Sequence, residues 1–311
     1  MKKYVFLYAG QGSQKEGMGK DFYENFEGYR KVIDSLTVTA EGRSLKSWME
    51  EGTLEDLSKT EITQPCMAAF AAGVTAVLAE KGIEPVAACG LSLGEYGALH
   101  AAGVFDATTY VSITAHRGKY MAEASSVADF KMSAVLATPL EVIEEVCEEC
   151  SLVGFVKTVN YNCPGQYVIG GEEKAVEEAE RKLKERGAKR MVPLKVSGPF
   201  HTKFMQPAAE KLEEYLAPIS FEEPKIPVVF NCLGGWKEKN DKIKELLIQQ
   251  IQSSVYFEQG IRTLLEEGYS EFLEIGPGNT LSAFVKKTAA NLGKKVTIIS
   301  IDKAEDLEKL D

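Results

Sequence analysis

The five residues Gly90-Leu91-Ser92-Leu93-Gly94 fit G-x-S-x-G, the spacing that puts a serine hydroxyl on a sharp strand-to-helix turn. An apolar stretch, Val86 to Cys89, precedes it and helical periodicity follows, as such a nucleophile elbow requires. The same pattern also suits a glycine turn with a serine N-cap, so the residue types leave both readings open. A serine nucleophile needs a base within hydrogen-bonding reach, and the chain has only three histidines. His100 lies eight residues along the same predicted helix, about 12 Å from Ser92 along the axis and too far to take its proton. His116 sits on another helix. His201 falls in Ser197-Gly198-Pro199-Phe200-His201, a loop directly after a strand, which suits either a catalytic base or a surface histidine. Arg117 shares a helical stripe with Tyr110, Ile113, Thr114 and Met121, and no carboxylate stands where it could pair along that helix. A guanidinium on an apolar face needs an anion from elsewhere: a salt bridge to another element, or a substrate carboxylate.

Other chemistries lack their residues. Gly10 and Gly12 follow a strand, but the sixth position of a dinucleotide-binding G-x-G-x-x-G is Lys15, and there is no phosphate-binding loop. No histidine pair has metal-ligand spacing, so chemistry without metal or cofactor is expected. The glycine-rich loop is free to offer main-chain N–H groups to an oxyanion beside the elbow. Cys147 and Cys150 have redox-motif spacing within an acidic amphipathic helix, which favours ordinary helix-face thiols. Six of the ten residues from Arg181 to Arg190 are basic, fitting a solvated helix end or a surface for phosphates or an acidic protein.

The elements that must position these residues follow from length and periodicity. A chain of 311 residues is expected to form about two domains, and 44% hydrophobic with 26% charged residues is ordinary for a globular protein. A net charge of −10 argues against a nucleic-acid binder. The scattered cysteines read as reduced thiols of a cytoplasmic protein. The apolar run from Cys66 to Ala79 is too short to span a bilayer, and no membrane segment is expected. Met1-Lys2-Lys3 followed by Tyr4 to Ala9 reads as a first strand rather than a signal peptide, since Gln11-Gly12-Ser13-Gln14 follows at once. Strands are predicted at Tyr4–Tyr8, 86–89, 228–231, 271–275 and 296–299. Helices between them are predicted at 22–33, 65–80, 106–124 with Asp106 as N-cap, 241–252, 257–267 and 279–290. That alternation predicts a parallel sheet. Between Phe130 and Val196 the order becomes strand 131–136, helix 139–149, strands 152–160 and 167–169, helix 172–186 and strand 190–196, a ferredoxin-like βαββαβ unit. The reading is therefore an α/β protein: a large parallel-sheet domain over 1–128 and 198–311 with a small domain, 129–197, inserted.

Taken in order, the motifs resemble the malonyl-CoA:acyl carrier protein transacylase family of bacterial fatty-acid synthesis. The resemblance rests on Gly10 to Gln14, Gly90 to Tyr96, Arg117-Gly118-Lys119-Tyr120-Met121, Gly198-Pro199-Phe200-His201, Gln250, and Glu274-Ile275-Gly276-Pro277-Gly278. It implies a hydrolase-like α/β domain with a ferredoxin-like insertion, and a cytoplasmic monomer whose partners are malonyl-CoA and acyl carrier protein. It implies Ser92 as nucleophile, His201 as its base and Arg117 as the binder of the malonyl carboxylate. The main-chain N–H groups of Gln11 and Leu93 would form the oxyanion hole, and Gln250 would orient His201 through its carbonyl. Phe200 implies malonyl preference by the same analogy. Two departures stand out: Leu91 where many members carry histidine, and Ser253-Ser254 where an Asn-Pro pair is familiar. A serine hydrolase sharing the elbow and base, or a non-catalytic binding protein with a structural elbow, are the competing readings.

Overall fold

The computed structural model describes residues 3–125, 129–194 and 198–310. Its first sheet has four parallel strands in the order Thr297–Ile301, Glu271–Ile275, Tyr4–Tyr8, Pro85–Gly90. A single parallel bridge from Ala88 to Val228 extends it. The Tyr4–Tyr8 strand is buried throughout and is covered on both faces, as parallel sheets are. Side chains alternate across a strand, so Phe6 and Tyr8 join the core beneath the Thr60–Glu80 and Ala107–Ala124 helices. Val5 and Leu7 join the opposite core with Phe257, Leu264 and Phe284.

The second sheet is antiparallel, in the order Val156–Cys163, Gln166–Glu172, Phe130–Leu136, Arg190–Pro193. Helices Leu140–Cys150 and Glu173–Glu185 close one face over Ile143, Val146, Ile169, Val176 and Leu183. The other face contributes Met132, Ala134, Val159 and Val168 to the main core. This is the βαββαβ unit expected from the sequence. The domain limits proposed at 128/129 and 197/198, and the end of the last strand at Val196, fall outside the described residues.

Several boundaries move. The 65–80 helix begins earlier, at Thr60, although Pro65 lacks the N–H that would bond the Glu61 carbonyl. At 21 residues it is long and apolar enough to cross a membrane by length and composition, which a run counted from Cys66 was not. Most of it is buried in the core. The strand expected at 152–160 spans Val156–Cys163, because Ser151 to Gly154 form a turn that leaves Leu152 95% exposed. It runs on to Cys163 because Tyr161 and Cys163 pair with Tyr167 and Gln166 of the next strand, while its other edge bridges to Val255 at Asn160. The helix Gln206–Leu216 and the hairpin of Thr39–Ala40 with Arg43–Ser44 were not anticipated.

Candidate active site

The Pro85–Gly90 strand runs into Ser92, whose φ of +53° is the left-handed conformation that a β-carbon disfavours. The surroundings hold it there. The Ser92 N–H donates to Asn231 Oδ1 at 2.6 Å, and Asn231 Nδ2 donates to the Gly90 carbonyl at 2.7 Å. A β-carbon on Gly94 would meet the Tyr8 carbonyl oxygen at 2.0 Å, so only glycine lets the next helix start this close to the neighbouring strand. That helix, Gly94–Ala101, has Leu93 in the N-cap position with no side-chain cap bond, so Ser92 is not serving as its cap. The hydroxyl is left for other use.

His201 also sits at positive φ, +62°. Its N–H donates to the Ile251 carbonyl, and its ring is buried, 4% exposed, against the surface-loop reading. Nδ1 lies 3.0 Å from the Gln250 carbonyl, which can only accept; Nδ1 therefore carries the proton and Nε2 a lone pair. Nε2 is 2.7 Å from Ser92 Oγ and accepts its hydroxyl proton. Burial, and secondarily the Arg117 guanidinium, push the His201 pKa down to about 3, which keeps the ring neutral.

Arg117 is 1% exposed. Nη1 donates to Gln64 Oε1 at 2.8 Å, and Nη2 to Ser92 Oγ and Gln250 Oε1, both at 3.1 Å. Its guanidinium carbon lies 5.3 Å from the Tyr96 ring centroid. Among the described residues it forms no ion pair, and its Nε has no partner. The salt bridge to another element, left open by the sequence, is absent there: neutral amide oxygens hold the charge in place. Gln11 lines the same cavity, about 280 Å³, which its loop enters because Gly10 lies against the elbow; a β-carbon there would meet the Leu91 carbonyl oxygen at 2.5 Å. Among the described residues, the main-chain N–H groups of Gln11 and Leu93 have no acceptor. The far wall, with Met132, Asn160, Asn162 and Val168, comes from the antiparallel sheet. Larger grooves of about 600 and 1030 Å³ lie elsewhere, and neither holds the nucleophile and base.

A serine, a neutral imidazole fixed in the proton-accepting tautomer, and a buried guanidinium thus surround one oxygen atom. The description "Acyl transferase domain" matches residues 5–307. The malonyl CoA-acyl carrier protein transacylase of Bacillus subtilis strain 168 is 40% identical over 309 residues, covering 99% of this chain and 96% of that protein. The chain belongs to this family of acyl transferases. The crystal structure of MCAT from Streptococcus pneumoniae superimposes with a TM-score of 0.92 at 42% identity, covering 99% of both chains. A malonyl-transacylase solved in complex with its type II PKS acyl-carrier protein also superimposes at 0.92, with 33% identity and 99% and 98% coverage.

In this acyl transferase the two departures are both accommodated. Leu91 packs against the apolar core under the sheet. Ser254 Oγ donates to the Thr158 carbonyl at 2.8 Å, the Val255 N–H donates to the Val159 carbonyl, and the Val255 carbonyl accepts from the Tyr161 N–H, so the segment after Gln250 is laced to the antiparallel sheet. Sequence reasoning missed four contributors: Gln64, Asn231, Glu95 and the Gln250 side chain, whose Nε2 donates to the Ser92 carbonyl at 2.8 Å. Their one signal was polarity within apolar segments. The other histidines are occupied apart from Ser92: His100 bonds the Phe105 carbonyl, and His116 bonds the Ser112 carbonyl and stacks on Tyr215. Cys147 and Cys150 are free buried thiols, and burial pushes Cys147 up to about 12, so redox work is disfavoured. Within the basic cluster, Arg181, Lys182 and Arg186 pair with Glu178, Glu185, Glu149 and Glu145. Much of that charge is spent inside the small unit.

Proposed function

We propose that this chain transfers a malonyl group from CoA to the phosphopantetheine thiol of acyl carrier protein through a malonyl ester on Ser92. His201 Nε2 takes the Ser92 proton as Oγ attacks the thioester carbon; the C–S bond breaks, and the proton passes from His201 to the departing CoA sulfur. The carrier thiol then attacks the ester, losing its proton to His201, and Ser92 recovers it as the malonyl leaves. The N–H groups of Gln11 and Leu93 stabilise both tetrahedral oxyanions, each donor being worth roughly 2.7 to 4 kcal/mol in such sites. Gln250 holds His201 in its tautomer through the main-chain carbonyl.

One observation carries the choice of acyl group: a fully buried guanidinium, touching the nucleophile and bound only to neutral oxygens. A malonyl carboxylate supplies the missing charge, whereas an acetyl group leaves it uncompensated. We further propose that the protein acts as a cytoplasmic monomer of two units, 1–128 with 198–311 and the inserted 129–197. Support comes from a site built within one chain and from six free, buried cysteines, as a reducing compartment allows. The test is a transfer assay with malonyl-, methylmalonyl- and acetyl-CoA, following product on a phosphopantetheinylated carrier and free acid in solution. Malonyl transfer to the carrier is expected. Predominant release of free malonate would instead make the protein a serine hydrolase, and no reaction with any donor, together with no labelling by a serine-directed probe, would make the elbow structural.

A further inference from the structure

We propose that Glu95 is a positioning residue: its carboxyl group holds the Asn231 main chain so that the Asn231 side chain keeps the Ser92 turn in its reactive shape. This rests on Ser92 being the nucleophile. Glu95 is fully buried one helical turn after Ser92, and it plays no part in the chemistry derived above. Its Oε2 accepts the Asn231 N–H at 2.5 Å. Asn231 in turn accepts the Ser92 N–H and donates to the Gly90 carbonyl, tying both sides of the elbow to a residue 139 positions away from Ser92. The Glu95 N–H bonds the Ser92 carbonyl at 3.1 Å, which closes the loop of contacts on the nucleophile itself. A serine at φ +53° is strained and persists only where surrounding contacts over-determine it; Asn231 supplies them together with the Gln250 side chain, which donates to the Ser92 carbonyl, and Glu95 orients Asn231.

The role explains an otherwise costly group. An apolar side chain would fill the position without the desolvation penalty of burying an ionisable acid. Burial raises the Glu95 pKa to about 7, the Asn231 N–H, the Gln250 side chain and Arg117 pulling the other way. The thiols of Cys89 and Cys232 and the Tyr96 phenol also face it. Protonated or ionised, the group presents an oxygen to Asn231. The positioning role therefore depends on the acceptor and not on the charge, and glutamine can perform it.

The test compares Glu95→Ala, Glu95→Gln, Asn231→Ala and the Glu95→Ala/Asn231→Ala double variant, at a temperature where circular dichroism shows each folded. Single-turnover acylation of Ser92 by malonyl-CoA is measured beside labelling by a fluorophosphonate, which requires only the activated serine. We expect Glu95→Ala to slow both reactions about a hundredfold, as a misplaced nucleophile does, with KM for malonyl-CoA little changed. Glu95→Gln should restore both, to within about threefold of the parent protein, which loss of bulk stability alone would not predict. Asn231→Ala should match Glu95→Ala, and the double variant should lose no more than either single change. Parent-like rates in Glu95→Ala, equal impairment in Glu95→Gln, or losses that multiply in the double variant would each overturn the proposal. If Glu95→Ala does not fold, Asn231→Ala carries the same expectation, and a parent-like rate there overturns it. A parent protein that labels with fluorophosphonate but takes no malonyl would defeat the transferase reading while leaving the Glu95 comparison intact.

Discussion

Replacing Arg117 separates two jobs that its geometry combines. Nη2 donates to Ser92 Oγ, a contact every acyl donor shares, and among the described residues the same guanidinium is the only buried cation beside the nucleophile. A hydrogen bond between neutral partners is worth about 1 kcal/mol net, and one to a charged group about 1.5–3 kcal/mol. Arg117→Met, which keeps much of the buried volume, should therefore lower kcat/KM for acetyl-CoA by about tenfold through the lost contact to Ser92. For malonyl-CoA it also removes a charge-assisted, two-pronged contact. Taking about 3 kcal/mol for that contact, the malonyl rate should fall by roughly a further hundredfold, at 1.36 kcal/mol per tenfold. The decisive quantity is the ratio. Steady-state kcat/KM for the two donors, measured with a phosphopantetheinylated carrier, should show the malonyl-to-acetyl preference dropping by about two orders of magnitude. If both donors lose the same factor, Arg117 serves Ser92 alone and the clamp is refuted.

Ser92→Ala should abolish the covalent acyl-enzyme; intact-protein mass spectrometry after mixing with malonyl-CoA should show no added malonyl, and an adduct would move the nucleophile elsewhere. Because the His201 pKa is depressed to about 3, acylation should show no histidine limb between about pH 5 and 8, and a limb near 6.5 in Ser92 labelling would contradict the buried neutral ring. The same shift bears on stability: the unfolded chain binds this proton near 6.5 and the native one near 3, so His201 contributes stability above the unfolded value that is lost as pH falls toward 3. Glu95 runs oppositely, its contribution being complete below the unfolded carboxyl value and lost as pH rises through about 7, so Glu95→Gln should alter the alkaline side of a denaturation-against-pH profile. Gly10→Ala places a β-carbon 2.5 Å from a main-chain oxygen that cannot swing aside; the Gln11 loop must shift, and kcat should fall by about 10² to 10³, the loss expected for one oxyanion donor, with KM little changed. Unaltered kcat would remove Gln11 from the oxyanion hole.

What the chain determined by itself was local. Runs such as Tyr4 to Tyr8 declare a strand covered on both faces, G-x-S-x-G declares a turn that only glycine allows, and the helical period around Arg117 declares a buried cation needing an anion. Each is decided by residues within a turn or two, through side-chain direction and backbone sterics. The strand and helix order that predicted an inserted βαββαβ unit is of the same kind, and its limits slipped where strand pairing intervened, as where Tyr161 and Cys163 pair with Tyr167 and Gln166. Resemblance named Ser92, His201, Arg117, Gln11, Leu93 and Gln250, but the residue types alone left His201 open to a surface role and Arg117 to a salt bridge.

Only the tertiary structure decided those questions. It brings together residues 64, 92, 95, 117, 201, 231 and 250, and removes the histidine and the arginine from water. Asn231 and Glu95 were invisible beforehand because a polar residue near an apolar run has no periodic mark. Their meaning lies in which carbonyl or N–H packing sets before them, and in burial that makes each such contact costly to leave unmade.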